Sequence, residues 1–144
     1  MEQRFNFFKV YPQAYQQMLE ISALSASTSL SPLETELVKI RASQLNGCAY
    51  CLDMHTKDAR KKGETEQRLY TVSAWRDTPF FNEREQALLA LTEQVTAISG
   101  HVSDAVFAGA VKHFGEKGTA EIIMAVVVIN SWNRIAISTG MMPV

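Results

Sequence analysis

The chain has 144 residues, of which 47% are apolar and 20% are charged, proportions that predict one globular domain over residues 1–144 with a sizeable core. Its 14 Lys and Arg residues nearly balance its 15 Asp and Glu residues, for a net charge of −1, which argues against nucleic acid or an anionic membrane as the main partner. The longest apolar run, residues 122–129, is too short for a membrane span, and residues 1–5 lack a signal-peptide pattern. We therefore expect no membrane partner and a cytoplasmic location.

The first half of the chain predicts three helices. Residues 11–24 carry an amphipathic pattern, and the Ser- and Thr-rich stretch 23–31 is expected to be a loop. Ser31-Pro32-Leu33-Glu34 has the sequence of a capping box with proline at the first helical position. Asn46-Gly47 should end that helix, and the third helix is expected from about residue 48 to residue 62.

The second half of the chain predicts further helices separated by glycine and proline turns. Asn82 and Ser103 are suited to helix N-caps, Gly100 should end a helix, and Gly115 and Gly118 flank a predicted turn. The predicted helices cover approximately residues 64–75, 82–95, 103–113 and 120–138. No strand–turn–strand pattern occurs in the sequence, so the predicted fold class is all-α, a single-domain helical bundle.

The segment that carries chemistry is Cys48-x-x-Cys51-x-x-x-His55, which contains both cysteines of the chain. At about 100° per residue, these three side chains fall within an arc of about 60° and line one helix face. If Gly47 interrupts the helix, Cys48 lies in the first turn of the next helix, where free N–H groups and the helix dipole stabilise a thiolate. Such a thiolate could attack a peroxide and end in a disulfide, or exchange with another disulfide.

A proton relay would need a base near the thiols and a carboxylate behind that base. His55 can remove a thiol proton and protonate a leaving alkoxide. Glu36 lies at the edge of the apolar stripe of the preceding helix, where partial burial would raise its pKa. On one continuous helix Glu36 would be about 18 Å from Cys48, so only a chain reversal at Asn46-Gly47 could bring it to the thiols.

Other interpretations of the cysteines are open from the residues alone. Structural zinc usually takes four ligands, and His101 and His113 are not suggestively spaced for that role. The two cysteines could instead be core residues without a chemical role, because free cysteine is often buried. A thioredoxin-like redox motif expects a βαβ unit, which the sequence does not indicate. We expect neither a metal nor a bound cofactor.

These residues resemble the AhpD-like alkyl hydroperoxidase group of the carboxymuconolactone decarboxylase family. Residues 31–63 resemble the core helix pair of that family, residues 83–92 resemble the helix that follows, and residues 129–134 resemble its C-terminal signature. The most specific part of the match is the spacing Glu-x11-Cys-x-x-Cys-x-x-x-His, formed by Glu36, Cys48, Cys51 and His55.

The resemblance implies an all-helical homo-oligomer, a trimer or a hexamer, with peroxidase or thiol–disulfide activity. It implies Cys51 as the attacking thiol, Cys48 as the resolving thiol, and Glu36 and His55 as a proton relay. The helix start would favour Cys48 as the more acidic thiol, but His55 lies one helical turn from Cys51 and two from Cys48. The implied reductant is an external dithiol, such as lipoamide on a partner protein.

Tyr50 departs from the best-studied family pattern, which has a histidine between the cysteines. A tyrosine can donate a hydrogen bond but is a poor base at neutral pH, so Tyr50 is a candidate hydrogen-bond donor. The decarboxylase branch lacks the paired cysteines, so the pair argues against lactone decarboxylation. The alternatives are a non-redox decarboxylase-like enzyme and a non-enzymatic helical oligomer with structural thiols.

Several residues outside the cysteine segment carry weaker signals. Trp132, Asn133 and Arg134 are expected to pack and to form a helix-end hydrogen bond. The alternative is an inter-subunit or pocket role for Arg134. The N-terminal aromatic side chains should anchor that segment on the body or on a neighbouring subunit: Phe5, Phe7, Phe8 and Tyr11. A second aromatic set comprises core or interface candidates that could wall an apolar pocket: Tyr70, Trp75, Phe80 and Phe81.

Overall fold

The computed structural model describes residues 2–144, and over that range it contains helices and turns but no β-strand. The α-helices of this range are α1 (Phe7–Val10), α2 (Pro12–Ala26), α3 (Pro32–Asn46), α4 (Ala49–Lys61), α5 (Glu66–Thr71), α6 (Glu83–Thr96) and α7 (Asp104–Thr139). Two short 3-10 helices follow α5 and α6, at Val72–Asp77 and Ile98–Gly100. The all-α prediction is confirmed, although the predicted helix 64–75 is split between α5 and the first 3-10 helix.

The core lies where α3, α6 and α7 pack against one another. All three helices contribute fully buried apolar side chains: Leu37, Ile40, Leu88, Leu91, Ile122 and Val126. The helix α4 lies against α3 and contacts α7, and α2 covers another side of α7. The position of α3 is thus fixed from several sides, and with it the position of the side chains that α3 presents to α4.

The predicted capping box at the start of α3 is present. Ser31 Oγ accepts a hydrogen bond from the Glu34 N–H at 3.1 Å, and Glu34 Oε2 accepts one from the Ser31 N–H at 2.8 Å. Asn82 and Glu85 form the same arrangement at the start of α6, as predicted. Arg84 Nε donates to Glu34 Oε1 at 2.6 Å, so the carboxylate that caps α3 also ties it to α6.

The chain reverses between α3 and α4 at Gly47, as the Asn46-Gly47 pair predicted. Gly47 has a left-handed conformation, with φ 71° and ψ 34°, which is unfavourable for residues with a side chain. The Gly47 N–H donates to the Gln44 carbonyl and the Cys48 N–H donates to the Ser43 carbonyl, which is the pattern of a Schellman motif. This turn directs α4 back against α3.

The helix α2 is longer than predicted. Residues 23–26 are helical rather than part of the expected loop 23–31. The hydroxyl groups of Ser22 and Ser25 donate to carbonyls of the preceding helical turn, at 2.6 and 3.1 Å. Because these polar side chains are satisfied within the helix, a Ser-rich composition does not end it.

The predicted turn between Gly115 and Gly118 is a single non-helical residue in the structure. The two helices expected over 103–113 and 120–138 join into α7, with non-helical backbone inside it at Gly115 (φ 69°, ψ 176°). Gly118 is helical, and a Cβ there would lie 2.8 Å from Phe114 Cβ. Gly118 therefore allows close packing across the kink rather than a turn.

By length and composition alone, α7 could cross a membrane. Its side chains Ile122 and Val126 are fully buried in the core that α7 forms with α3 and α6. A central helix of a bundle has the same composition as a membrane span, because it too is surrounded by apolar side chains.

Replacing Gly47 tests the turn between α3 and α4. Because alanine is disfavoured at φ 71°, we expect Gly47→Ala to lower the free energy of unfolding by about 1 kcal/mol, measured by urea denaturation. Gly109→Ala is the matched control, since Gly109 is helical and a Cβ there would have no neighbour within 4 Å. The control should stabilise the protein by up to about 1 kcal/mol, and equal effects of both substitutions would contradict the role of Gly47.

Candidate active site

Cys48 and Cys51 are joined by a disulfide bond at the start of α4, with their Cα atoms 5.3 Å apart. Cys48 is the N-cap of α4, so the predicted helix start is one residue too early. Both cysteines are 1% exposed, and Ala136 and Met141 at the end of α7 pack against them. The pair is therefore shielded from bulk solvent while it remains at the N-terminal end of a helix.

A cavity of about 300 Å³ lies beside the disulfide, between α2, α4 and α7. Cys51 and His55 line this cavity, and Cys48 does not. Much of the remaining wall is apolar or aromatic and includes Phe8, Leu19, Met54, Val128, Ile129 and Trp132. A molecule in the cavity would therefore lie against Cys51 rather than Cys48.

Glu36 of α3 and His55 of α4 meet behind the cavity. His55 Nδ1 lies 3.0 Å from Glu36 Oε2, and the two residues are 8% and 1% exposed, respectively. An ionised carboxylate can only accept hydrogen bonds, so the Nδ1 atom of His55 carries the hydrogen and donates it. Neutral His55 then has its lone pair on Nε2, which is the atom that can take a proton.

Glu36 is ionised although it is buried. Burial alone would raise the pKa of this carboxyl group. The hydrogen bonds with His55 and Lys62 and the charges of Lys39 and His55 outweigh burial and lower its pKa to about 2. Lys62 Nζ lies 2.5 Å and Lys39 Nζ 3.3 Å from Glu36 Oε1. The raised pKa expected from burial is therefore wrong, because the hydrogen bond with His55, together with two lysines that the sequence did not single out, outweighs burial.

Tyr50 lies between the two cysteines on α4 and is half-buried. Its side chain packs against the disulfide and lines the cavity together with Cys51. The predicted role as a hydrogen-bond donor is compatible with this position, because a ligand near the Cys51 sulfur would share the cavity with the phenol.

A buried polar network holds the end of α3 against α7. Asn46 Nδ2 donates to Oδ1 of Asn130 at 2.7 Å and to Oδ1 of Asn133 at 3.0 Å. Asn133 is fully buried and its Nδ2 donates to Ser43 Oγ at 3.0 Å, while Arg134 donates to the Asn130 carbonyl. The packing and hydrogen bonding expected of Asn133 are thus confirmed and hold the end of α3, whereas Arg134 is exposed and its hydrogen bond lies within α7.

Trp132 has a position that sequence reasoning missed, because it lines the cavity. Its Nε1–H donates to Ser22 Oγ of α2 at 2.8 Å. The rings of Phe8 and Tyr15 lie against it, with centroid distances of 6.3 and 6.2 Å. Phe8 therefore anchors the N-terminal segment on the body of the protein, as expected, and helps to form the cavity wall.

The second aromatic set, predicted as core or interface residues that could wall a pocket, does not line this cavity, and the core prediction is confirmed for two of its members. Trp75 and Phe81 are buried in the main core, whereas Tyr70 and Phe80 are exposed. Helical periodicity indicates which side chains are buried, but it does not distinguish a core aromatic residue from one that lines a cavity. Lys39 and Lys62 were missed for a related reason, since only their contact with Glu36 sets them apart from other surface lysines.

Within residues 2–144, no group of three or more His, Cys, Asp or Glu side chains has an arrangement that could hold a metal ion. The two cysteines are bonded to each other, so their sulfur atoms are not thiolate ligands in this state.

The sequence is similar to one protein family and to a full-length relative. Residues 11–94 match the profile of the carboxymuconolactone decarboxylase family. The uncharacterized protein YdfG of Bacillus subtilis (strain 168) is 40% identical over 141 residues, which cover 97% of this chain and 96% of YdfG.

Two solved structures are similar over most of the chain. A protein of unknown function from Agrobacterium tumefaciens, described as a candidate antioxidant defence protein AhpD, has a TM-score of 0.96 and 36% identity, with 99% of each chain covered. An uncharacterized peroxidase-related protein from Silicibacter sp. TM1040 has a TM-score of 0.79 and 26% identity, covering 92% of this chain and 69% of the other. The similarity therefore extends over the helix pair that carries Glu36, His55 and the disulfide.

The lowered pKa of Glu36 predicts a pH dependence of stability. The ionised carboxylate stabilises the folded protein above pH 4.5, and this contribution is lost as the pH falls from about 4.5 to about 2. Between pH 7 and pH 2, wild type should lose about 3 kcal/mol more of its free energy of unfolding than Glu36→Gln does, measured by urea denaturation across pH. Glu20→Gln, at an exposed position, is the control and should follow wild type. Parallel profiles for wild type and Glu36→Gln would contradict the assignment.

Proposed function

Because this chain belongs to the carboxymuconolactone decarboxylase family, and within it to the AhpD-like group, we propose that it is a thiol-dependent peroxidase that reduces hydroperoxides through Cys51. Family membership alone supports a peroxidase-related or a decarboxylase-like activity. The residues around the disulfide favour the first of these.

The observation that carries the proposal is the position of the Cys48–Cys51 pair. Cys51 lines the cavity beside His55, and Cys48 lies behind Cys51, bonded to it. A peroxidase needs one thiol within reach of the substrate and a second within reach of the first. His55, held by Glu36 through Nδ1, leaves Nε2 to exchange protons on the cavity side.

The reduction of one hydroperoxide would oxidise the two thiols to the disulfide. His55 Nε2 takes the proton of the Cys51 thiol, and the thiolate attacks the terminal oxygen of a hydroperoxide, ROOH. The O–O bond breaks, Cys51 becomes a sulfenic acid, and the alkoxide takes the proton from His55 and leaves as ROH. The thiolate of Cys48 then attacks the sulfenic sulfur, and hydroxide leaves with the proton of Cys48 as water, which forms the disulfide.

A dithiol closes the cycle. It reduces the Cys48–Cys51 disulfide by two exchange steps and becomes a cyclic disulfide itself, so that one ROOH and one dithiol yield ROH, water and the oxidised dithiol. We propose a lipoamide-type dithiol on a partner protein as the reductant, a reducing cytoplasm as the compartment, and a trimer or a hexamer as the assembly. Tyr50 would donate a hydrogen bond to the peroxide or to the leaving oxygen.

A second candidate activity is disulfide reduction without peroxide. The Cys48–Cys51 pair could exchange with a substrate disulfide. This activity would use the same residues as the peroxidase activity, with a disulfide in place of the hydroperoxide as the oxidant. A decarboxylase or isomerase would not use the disulfide, so it would keep its activity when both cysteines are replaced.

The single-cysteine variants test the proposed function. Reduced Cys48→Ser, treated with cumene hydroperoxide, should lose its remaining thiol and gain one oxygen at Cys51, because the sulfenic acid has no resolving partner. Reduced Cys51→Ser should keep its thiol under the same conditions and should not consume peroxide. Mass spectrometry with a sulfenic-acid trap measures both results.

The opposite pattern, with oxygen on Cys48 in Cys51→Ser, would assign the attack to the other thiol. Peroxide consumption by a variant that lacks both cysteines would overturn the thiol mechanism. Oxidation of both reduced thiols by a small disulfide but not by hydroperoxide would favour the disulfide reductase.

A further inference from the structure

The charge on the cavity wall is of one sign. Among the sixteen described residues that line it, Lys39 is the one lysine or arginine, and none is Asp or Glu. Apart from His55, the other lining side chains are uncharged, and most are apolar or aromatic. A cation on the wall of an otherwise apolar cavity favours a ligand that has an anionic group and an apolar body.

Lys39 is not neutralised by its partner. Its Nζ lies 3.3 Å from Glu36 Oε1, and the same oxygen is 2.5 Å from Lys62 Nζ. Two ammonium groups thus share one carboxylate, which leaves a net charge of +1 even when His55 is neutral. Of the two lysines, only Lys39 lines the cavity.

Lys39 is also the partner that Glu36 can release. The contact with Lys62 is the shorter one, and His55 holds the other carboxylate oxygen at 3.0 Å. If Lys39 turned to a ligand, Glu36 would keep two partners and would not become an unpaired buried charge. The Lys39 side chain is 27% exposed, against 2% for that of Glu36, so it is free to reorient.

Building on the peroxidase function, we propose that the substrate is an organic hydroperoxide that carries a carboxylate, and that Lys39 binds this carboxylate while the apolar chain fills the cavity beside Trp132. The cavity volume of about 300 Å³ is at the lower end of the range for small-molecule sites, which favours a short or medium chain. Lys39 is thus a specificity-determining residue for the acid form of the substrate.

The same observations allow a second role for Lys39, as a mere partner of Glu36. Lys62→Met separates the two roles, because Lys62 touches Glu36 but does not line the cavity. Lys39→Met removes both the contact with Glu36 and the charge on the wall, whereas Lys39→Arg keeps the charge. An effect transmitted through Glu36 would appear in both methionine variants and would not depend on the charge of the ligand.

Ligand affinity tests carboxylate recognition independently of peroxide turnover. Octanoate and octanamide have the same shape and differ in charge, and Trp132 in the cavity wall reports occupancy by fluorescence, whereas Trp75 lies in the core. Wild type should bind octanoate about tenfold more tightly than octanamide. Lys39→Met should abolish this preference, and Lys39→Arg and Lys62→Met should retain it. Equal binding of the two ligands by wild type, or loss of the preference in Lys62→Met as in Lys39→Met, would overturn the proposal.

Turnover distinguishes this proposal from the peroxidase function. The ratio of kcat/KM for a medium-chain hydroperoxy acid to that for its methyl ester should be about ten in wild type and about one in Lys39→Met. A wild type that reduces both compounds equally would overturn the role of Lys39 and leave the peroxidase function intact. A wild type that reduces neither compound would overturn the peroxidase function and the hydroperoxide substrate together, and the octanoate experiment would then decide carboxylate recognition by itself.

Discussion

The site depends on one buried hydrogen bond, the contact between Glu36 on α3 and His55 on α4. Glu36 stays ionised because its hydrogen bonds with His55 and Lys62 and the charge of Lys39 outweigh burial, and as an acceptor it fixes the hydrogen of His55 on Nδ1. The lone pair is then on Nε2, in a residue that lines the same cavity as Cys51. Without the charge of Glu36, the hydrogen bond that orients the imidazole of His55 would be weaker.

The fold provides this contact through two local constraints. The core fixes α3 against α6 and α7, and the left-handed Gly47 reverses the chain so that α4 returns against α3. The same turn starts α4 at the cysteine pair, which gives Cys51 a place on the cavity wall and leaves Cys48 behind it. The different positions of the two cysteines relative to the cavity therefore follow from the path of the chain. Lys39 connects the Glu36–His55 pair to the cavity, because it contacts Glu36 and lines the cavity wall.

The features that the sequence predicted well are local ones. The capping boxes at Ser31 and Asn82 and the break at Gly47 depend on residues within one or two helical turns. The features it missed depend on tertiary contacts. The hydrogen-bond partners that lower the pKa of Glu36, His55 and Lys62, are 19 and 26 residues away in sequence, so the sign of the shift could not be predicted from the helix that carries Glu36. Trp132 has the spacing of a core residue, and only the packing of α2 against α7 makes it part of a cavity.

The central claim is that the Glu36–His55 pair assists proton removal from Cys51, and the pH profile of peroxide reduction tests it most directly. The rate at which the reduced protein reacts with cumene hydroperoxide is measured by stopped flow in wild type and in Glu36→Gln. Without the carboxylate, the thiolate–imidazolium pair is less stable, so the pH of half-maximal rate should be higher in Glu36→Gln and the rate at pH 7 should be about 100-fold lower. Superimposable profiles for the two proteins would contradict the account.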